Sequence, residues 1–173
     1  MVTSCIAGHT ALAELERMGI LRGVITQNVD NLHQAAGSTR VVEYHGNARR
    51  LVCLECHKRL SVDTNSMGDS APHCPMCAGL MKPEVVMFGE DIPHHALFEA
   101  HALAEKCDAM LVVGTSAQVY PAARLPYTAK ANGAFVIESN TERTEFTDTV
   151  TDVFLEGPAG QTLPLLVHAL EER

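Results

Sequence analysis

The chain has 173 residues, 13 of them Lys or Arg and 21 Asp or Glu, for a net charge of −8 at neutral pH. With 46% hydrophobic and 20% charged residues it has the composition of a folded globular domain, which excludes a disordered chain, a collagen-like array and a coiled coil. The acidic balance, with three Tyr, five Phe and no Trp, argues against a phosphate-backbone binder or a base-stacking platform, so no direct nucleic-acid contact is expected.

Residues 8–19 place Leu12, Leu15 and Met18 at helical spacing, and Gly19 ends the pattern. A short apolar strand, Val24-Ile25-Thr26, delivers the polar string Gln27-Asn28-Val29-Asp30-Asn31, and a helix follows to near Gly37. Residues 41–45 and 51–53 have the β-branched flavour of strands and lead into the first of two cysteine pairs. Residues 61–72, rich in Ser, Asp and Gly, read as a loop or insert. Beyond the second cysteine pair come an extended stretch over 84–88 and a helix over 94–106. The apolar run Met110-Leu111-Val112-Val113 then stops at Gly114-Thr115-Ser116, as a buried parallel strand does at its carboxyl end. A helix over 121–131, strands over 134–138 and 152–155 and a helix over 161–171 complete the alternation. Strands alternating with helices predict an α/β fold whose parallel sheet is covered on both faces. Such sheets bind ligands beyond their strand carboxyl ends. Here those ends carry residues 27–30, 114–116 and 140–142, all small or polar.

Cysteine spacing is the strongest local signal. Cys53-Leu54-Glu55-Cys56 and Cys74-Pro75-Met76-Cys77 are separated by 17 residues, the two-knuckle spacing of a tetrahedral zinc site, with an iron–sulfur cluster or a redox dithiol as alternatives. Four thiolates leave no open position for water, so one structural Zn2+ is expected and catalysis must lie elsewhere. His57 completes a CxxCH string that resembles a haem attachment site, but such attachment needs export, for which no signal is evident, and a zinc site explains both cysteine pairs together. Cys5 and Cys107 read as small core residues. No apolar run approaches the roughly 18–20 residues that span a bilayer, and no secretion signal is evident. The expectation is a cytoplasmic protein without membrane contact; the sequence carries no signal for an oligomeric state.

Asn28 and Asp30, at a strand end, offer complementary donors and acceptors for an amide-bearing ligand; the alternative is a turn with an Asx-type cap, which Asn and Asp favour in any protein. Gly114, Thr115 and Ser116 would cradle a phosphate or ribose, or simply cap the next helix. His45, in Glu43-Tyr44-His45-Gly46, lies where the α/β part meets the metal module. A histidine suits general-base work near neutrality, and the alternative is a hydrogen-bonded structural imidazole. His33, inside a helix, reads as structural.

Taken together the motifs resemble the sirtuin family of NAD-dependent protein deacylases. Residues 26–37 match the TQNxDxLHxxAG signature, Tyr44-His45-Gly46 the catalytic HG step, and the two CxxC pairs the zinc module. Residues 82–90, KPEVVMFGE, resemble the (K/R)PxVVxFGE substrate loop, and Gly114-Thr115-Ser116 with Val119 and Pro121 the GTSxxVxP turn. Asn140 and Gly157-Pro158-Ala159-Gly160 fit strand ends that hold adenosine. The resemblance implies a Rossmann-like NAD-binding domain over residues 1–44 and 84–173 and a zinc-binding module over 45–83. It implies that Gln27, Asn28, Val29 and Asp30 surround the nicotinamide end of NAD, and that His45 activates a ribose hydroxyl after the acyl oxygen displaces nicotinamide. Gly114, Thr115 and Ser116 would contact phosphate and ribose, Asn140, Thr141 and Glu142 the adenosine ribose, and Ala159 the adenine. Val86, Met87, Phe88 and Gly89 would pair with an acyl-lysine protein or peptide as an added strand. The products would be nicotinamide, O-acyl-ADP-ribose and free lysine.

The family's first strand, its GAGxS turn and its IPDFR-like segment have no counterpart in these 173 residues. The parallel sheet is therefore expected to be N-terminally incomplete, and the chain to bind NAD weakly and deacylate slowly or not at all by itself. A catalytically silent module that retains the peptide-binding loop, and an ADP-ribosyltransferase, are the alternative readings.

Overall fold

A computed structural model describes residues 2–62 and 70–172, with side chains from residue 7 onward. The side chain of Cys5 and residues 63–69 of the 61–72 segment lie outside the described residues. In chain order the elements are α1 (Val2–Arg17), β1 (Val24–Thr26), α2 (Leu32–Ala35), β2 (Val41–Glu43), β3 (Gly46–Cys53), β4 (Arg59–Ser61) and β5 (Met81–Val85). After these come α3 (His94–Lys106), β6 (Ala109–Val113), α4 (Leu125–Ala131), β7 (Phe135–Asn140), α5 (Glu145–Thr149), β8 (Val153–Glu156) and α6 (Ala159–Glu171).

The helical spacing of Ala11, Leu12 and Leu15 puts them on one face of α1, buried against Leu163 and Val167 of α6. Each large aliphatic side chain removed from water here contributes roughly 1.5–3 kcal/mol. Beyond α1 the Ile20 N–H donates to Leu15 O at 3.0 Å and the Gly19 N–H to Glu16 O at 2.9 Å, a Schellman closure that turns the chain toward β1. In α3, Ala96, Ala100 and Ala104 recur every four residues and are buried. Their small side chains let Ala129 of α4, fully buried, join the same core cluster with Val42 and Tyr44. A second cluster joins Val112 and Val136 to Phe146 of α5.

The parallel strands form two ladders, β1–β2 and β6–β7–β8. No hydrogen-bonded register joins β1 to β6 among the described residues, so the parallel sheet expected from the alternation is divided there. The third sheet, β4–β3–β5, is antiparallel and has its own small core of Leu51, Cys53, Cys74 and Met81. The expected extended stretch over 84–88 ends early: β5 stops at Val85, because the Glu90 N–H donates to Met87 O at 2.9 Å and closes a turn. No helix is long and apolar enough to cross a membrane among the described residues.

Candidate active site and metal centre

The two cysteine pairs fold alike. His57 N–H donates to Cys53 O at 3.1 Å and Ala78 N–H to Cys74 O at 2.8 Å, while Cys53 N–H and Cys74 N–H donate to Lys58 O and Gly79 O at 2.9 and 2.8 Å. His57 and Ala78, each four residues after the first cysteine of its pair, take the same left-handed backbone, φ 58° and 60°. The Glu55 N–H points at Cys53 Sγ (3.4 Å) and the Met76 N–H at Cys74 Sγ (3.5 Å). All four sulfurs lie within 4.8 Å of one another; Cys53–Cys77 and Cys56–Cys74 are 3.5 and 3.6 Å apart, too long for a disulfide. Zinc–thiolate bonds of about 2.3 Å in a tetrahedron put sulfurs about 3.8 Å apart, so this donor set fits one structural zinc. The backbone N–H of Cys56 leads in pulling the Cys53 thiol down to about 7. At Cys77 the Gly79 N–H pulls down, but the neighbouring Cys56 and Cys53 sulfurs prevail and push the thiol up to about 12. Four thiolates therefore crowd together only around a cation. His57, exposed and in the left-handed turn, is outside the donor set.

The carboxyl ends of β6, β7 and β8 converge through parallel register, Val113 opposite Ser139 and Asn140 opposite Glu156. Asn140 Nδ2 donates to Thr115 O at 2.9 Å, and Gly157 N–H donates to Asn140 O at 2.9 Å, so Thr115, Asn140 and the start of α6 at Ala159 belong to one rim. Gly114 takes φ 59° there, and a Cβ built on it would meet nothing within 4 Å, so the turn faces open space. Its successor segment does not enter a helix directly. A 3-10 turn begins only at Ala122, which removes the helix-capping reading of Thr115 and Ser116. Thr141 and Glu142 are exposed beside Asn140.

A second group forms around His45. Tyr44 N–H donates to Thr26 O (2.9 Å), Ala48 N–H to Val29 O (2.9 Å) and Val86 N–H to His45 O (3.0 Å). The half-buried His45 thus sits between the 27–30 loop and the start of residues 86–89. Gly46 takes φ 82°, and a Cβ there would collide with Glu84 O, so only glycine lets β3 start against β5. Asp30 Oδ1 accepts the Leu32 N–H at 2.9 Å, an Asx turn ahead of α2, whose N-cap is Asn31 without a side-chain bond, while Asn28 and Asp30 remain exposed and Gln27 is half-buried. Met87, Phe88 and Gly89 are exposed, Phe88 completely (102%). Lys82 Nζ and the Met87 N–H both bond the Glu90 carboxylate, at 2.6 and 3.1 Å. α1 lies against both groups: the His9 ring meets His33 of α2 at 4.5 Å between centroids, and a Cβ on Gly8 would stand 3.3 Å from Ala159 O.

Sequence reasoning missed the ionic hub beside His45. Glu43 accepts hydrogen bonds from Gln34 Nε2 (2.7 Å), Asn47 Nδ2 and Arg50 Nη2, and Arg50 and Arg59 both pair with Glu84 at 2.5 Å. Burial would raise the Glu84 carboxyl, but the two guanidinium groups hold it below the ordinary carboxylate value. The hub lines a cleft of about 290 Å³ between β5, α3 and residues 86–91. Its four charges sit one each in β2, β3, β4 and β5, so no local pattern in the sequence signals it.

The chain matches the model of the Sir2 family over residues 3–121. It is 48% identical over 170 residues to an NAD-dependent protein deacylase of Thermococcus kodakarensis, covering 95% of this chain and 66% of that one. An NAD-dependent protein deacylase 2 of Archaeoglobus fulgidus is 49% identical over 168 residues, covering 94% and 66%. Among solved structures, a Sir2 homologue–NAD complex superposes with a TM-score of 0.92 at 40% identity, covering 96% of this chain and 64% of that one. A Sir2–p53 peptide–NAD+ complex superposes with a TM-score of 0.88 at 35% identity, covering 96% and 70%. The chain thus spans 66% of the length of these two deacylases. With its family match over residues 3–121, which take in the two CxxC knuckles and the His45 turn, this chain belongs to the Sir2 family.

Proposed function

We propose that the chain carries NAD-dependent protein-lysine deacylase chemistry, taking NAD and an acyl-lysine protein or peptide to nicotinamide, O-acyl-ADP-ribose and free lysine. The observation that carries this reading is the position of His45, hydrogen-bonded through its own carbonyl to Val86 and through its neighbour Tyr44 to Thr26. One imidazole thereby adjoins both a polar strand end and an exposed peptide-like edge. The polar rim at residues 114–116 and 140–142, open above Gly114, suits the phosphates and adenosine ribose of NAD, with Ala159 beside the adenine. When bound, NAD supplies an anomeric carbon with a good leaving group, so the hardest bond-breaking belongs to the cofactor.

The chain's own residues bind, orient and move a proton. Gln27, Asn28, Val29 and Asp30 present amide and carboxylate groups to the nicotinamide end. His45 accepts the proton of a ribose hydroxyl, a transfer that contributes about 10²–10⁴-fold when the base is well placed. Val86, Met87, Phe88 and Gly89 offer backbone groups to an extended peptide. Cys53, Cys56, Cys74 and Cys77 would hold a zinc whose role is to tie the 45–83 module together, while residues 1–44 and 84–173 form the dinucleotide-binding part. A reducing, cytoplasmic location fits four clustered free thiols.

Calorimetric titration of the zinc-loaded chain with NAD, combined with an assay of nicotinamide release, tests the reading. Saturable heat that Asp30→Ala weakens is expected, and with an acetyl-lysine peptide present, nicotinamide release whose sustained turnover His45→Ala lowers because the later transfer to the ribose hydroxyl stalls. Neither heat nor release would leave a silent interaction module, and ADP-ribosylated protein in place of O-acyl-ADP-ribose would mark a transferase.

A further inference from the structure

We propose that Arg50 is a positioning residue that holds residues 86–89 in place relative to His45; this rests on the reading of the site given above. β2 and β5, which deliver His45 and residues 86–89, lie in different sheets, so no strand ladder joins them. They meet through β3, whose pairing with β5 is itself interrupted. Gly46 and Asn47 pair with Val85 and Glu84, and the register resumes only at Leu51 opposite Pro83, leaving residues 48–50 as a bulge without partners on β5. The bulge redirects the Ala48 N–H to Val29 O, which ties β3 to the 27–30 loop and leaves its link to β5 weak at this point.

Arg50, the last residue of the bulge, spans the weakness with its side chain. Its Nη2 pairs with Glu43, two residues before His45, and its Nε pairs with Glu84 at 2.5 Å, two residues before Val86. Each end of the bridge therefore sits two residues from one partner of the Val86 N–H to His45 O bond. The guanidinium is about one-third exposed and the carboxylates of Glu43 and Glu84 less so, at 15% and 20%, so water screens the bridge only partly. A planar fork engages two carboxylates in fixed relative geometry, which a point charge does not. Glu43 is held independently by Gln34 and Asn47, and Glu84 also by Arg59. Loss of Arg50 therefore releases one strand from the other without dismantling either.

The test is site-resolved amide hydrogen exchange on the zinc-loaded chain, with neither NAD nor peptide present. In Arg50→Met the Val86 amide is expected to exchange at least tenfold faster while amides of β7 and α6 keep their rates. Glu84→Gln, which retains the Arg50–Glu43 pair, should produce a smaller acceleration at the same amide. Unchanged Val86 exchange in both variants overturns the proposal, as does a uniform acceleration across β7 and α6. With an acetyl-lysine peptide and NAD, Arg50→Met should raise the peptide KM at least fivefold and leave the NAD KM unchanged; equal rises in both overturn the positioning role. Accelerated Val86 exchange in a chain that turns over no peptide supports the role of Arg50 in positioning the segment, while refuting the proposed activity.

Discussion

At the scale of single residues, His33 illustrates how burial sets chemistry. Its ring packs edge-on against His9, its Nδ1 is buried without a hydrogen-bond partner, and it lies near Asp30. Burial, then the neighbouring His9, pull the imidazole from its ordinary 6.5 down to about 4, with Asp30 opposing. The folded chain therefore holds fewer protons on His33 than the unfolded chain between about pH 6.5 and pH 4. This stability is fully present above pH 6.5, is lost as pH falls toward 4, and changes no further below that. The lost stability amounts to about 3 kcal/mol at 1.36 kcal/mol for each pH unit of displacement. Urea unfolding of His33→Phe between pH 7 and pH 4 should show a shallower decline than the parent chain, and parallel declines would contradict the assignment. Sequence reading had identified His33 as structural from its place in a helix; the pairing with His9, 24 positions away, depends on tertiary packing that no local pattern carries.

At the scale of elements, α5 shows what a strand can ask of a short helix. Glu138 of β7 is fully buried and accepts hydrogen bonds from the hydroxyls of Thr144, Thr147 and Thr151 at 2.6, 2.6 and 3.0 Å. Thr144 is also the N-cap of α5, its Oγ1 accepting the Phe146 N–H at 3.1 Å, while Thr147 Oγ1 accepts the Thr144 N–H at 2.8 Å. A five-residue helix has too few internal bonds to stand alone, so the buried carboxylate anchors it and Phe146 seals the core. Replacing Glu138 by Ala orphans three hydroxyls and opens a cavity, and should cost about 2–4 kcal/mol in chemical denaturation; a loss below about 1 kcal/mol would contradict this account. The metal module makes a parallel case. With Cys74→Ser the tetrahedron loses one thiolate, so zinc content should fall well below one ion per chain and the β3–β4–β5 sheet should melt earlier. Unchanged stoichiometry and melting would contradict the four-thiolate site. Periodicity exposed the helix at residues 94–106 and the strand at residues 109–113 because both are long or strongly apolar. It missed α5 and β4 because five and three residues give no period, and it missed the antiparallel sheet because β3 pairs with β5 across the whole cysteine-bearing segment.

At the scale of the whole molecule, the residues singled out by the sequence motifs fall into two spatial groups. Residues 114–116, 140–142 and Ala159 converge because parallel strands end together, an arrangement legible from the alternation of strands and helices alone. Residues 27–30, His45 and 86–89 converge through backbone bonds across sheets and through the Glu43–Arg50–Glu84 hub. Spacing could not reveal these because they depend on a bulge in β3. The zinc quartet was readable in full, since two CxxC turns of identical geometry need only local chain. The central claim is that these groups work together on NAD and an acylated lysine. Mass spectrometry of an acetyl-lysine peptide incubated with NAD and the zinc-loaded 173-residue chain tests it most directly. The account predicts free lysine peptide and O-acetyl-ADP-ribose in equal amounts, with both reduced at least about 100-fold by His45→Ala; deacetylation that persists in that variant, or that proceeds without NAD, would contradict it.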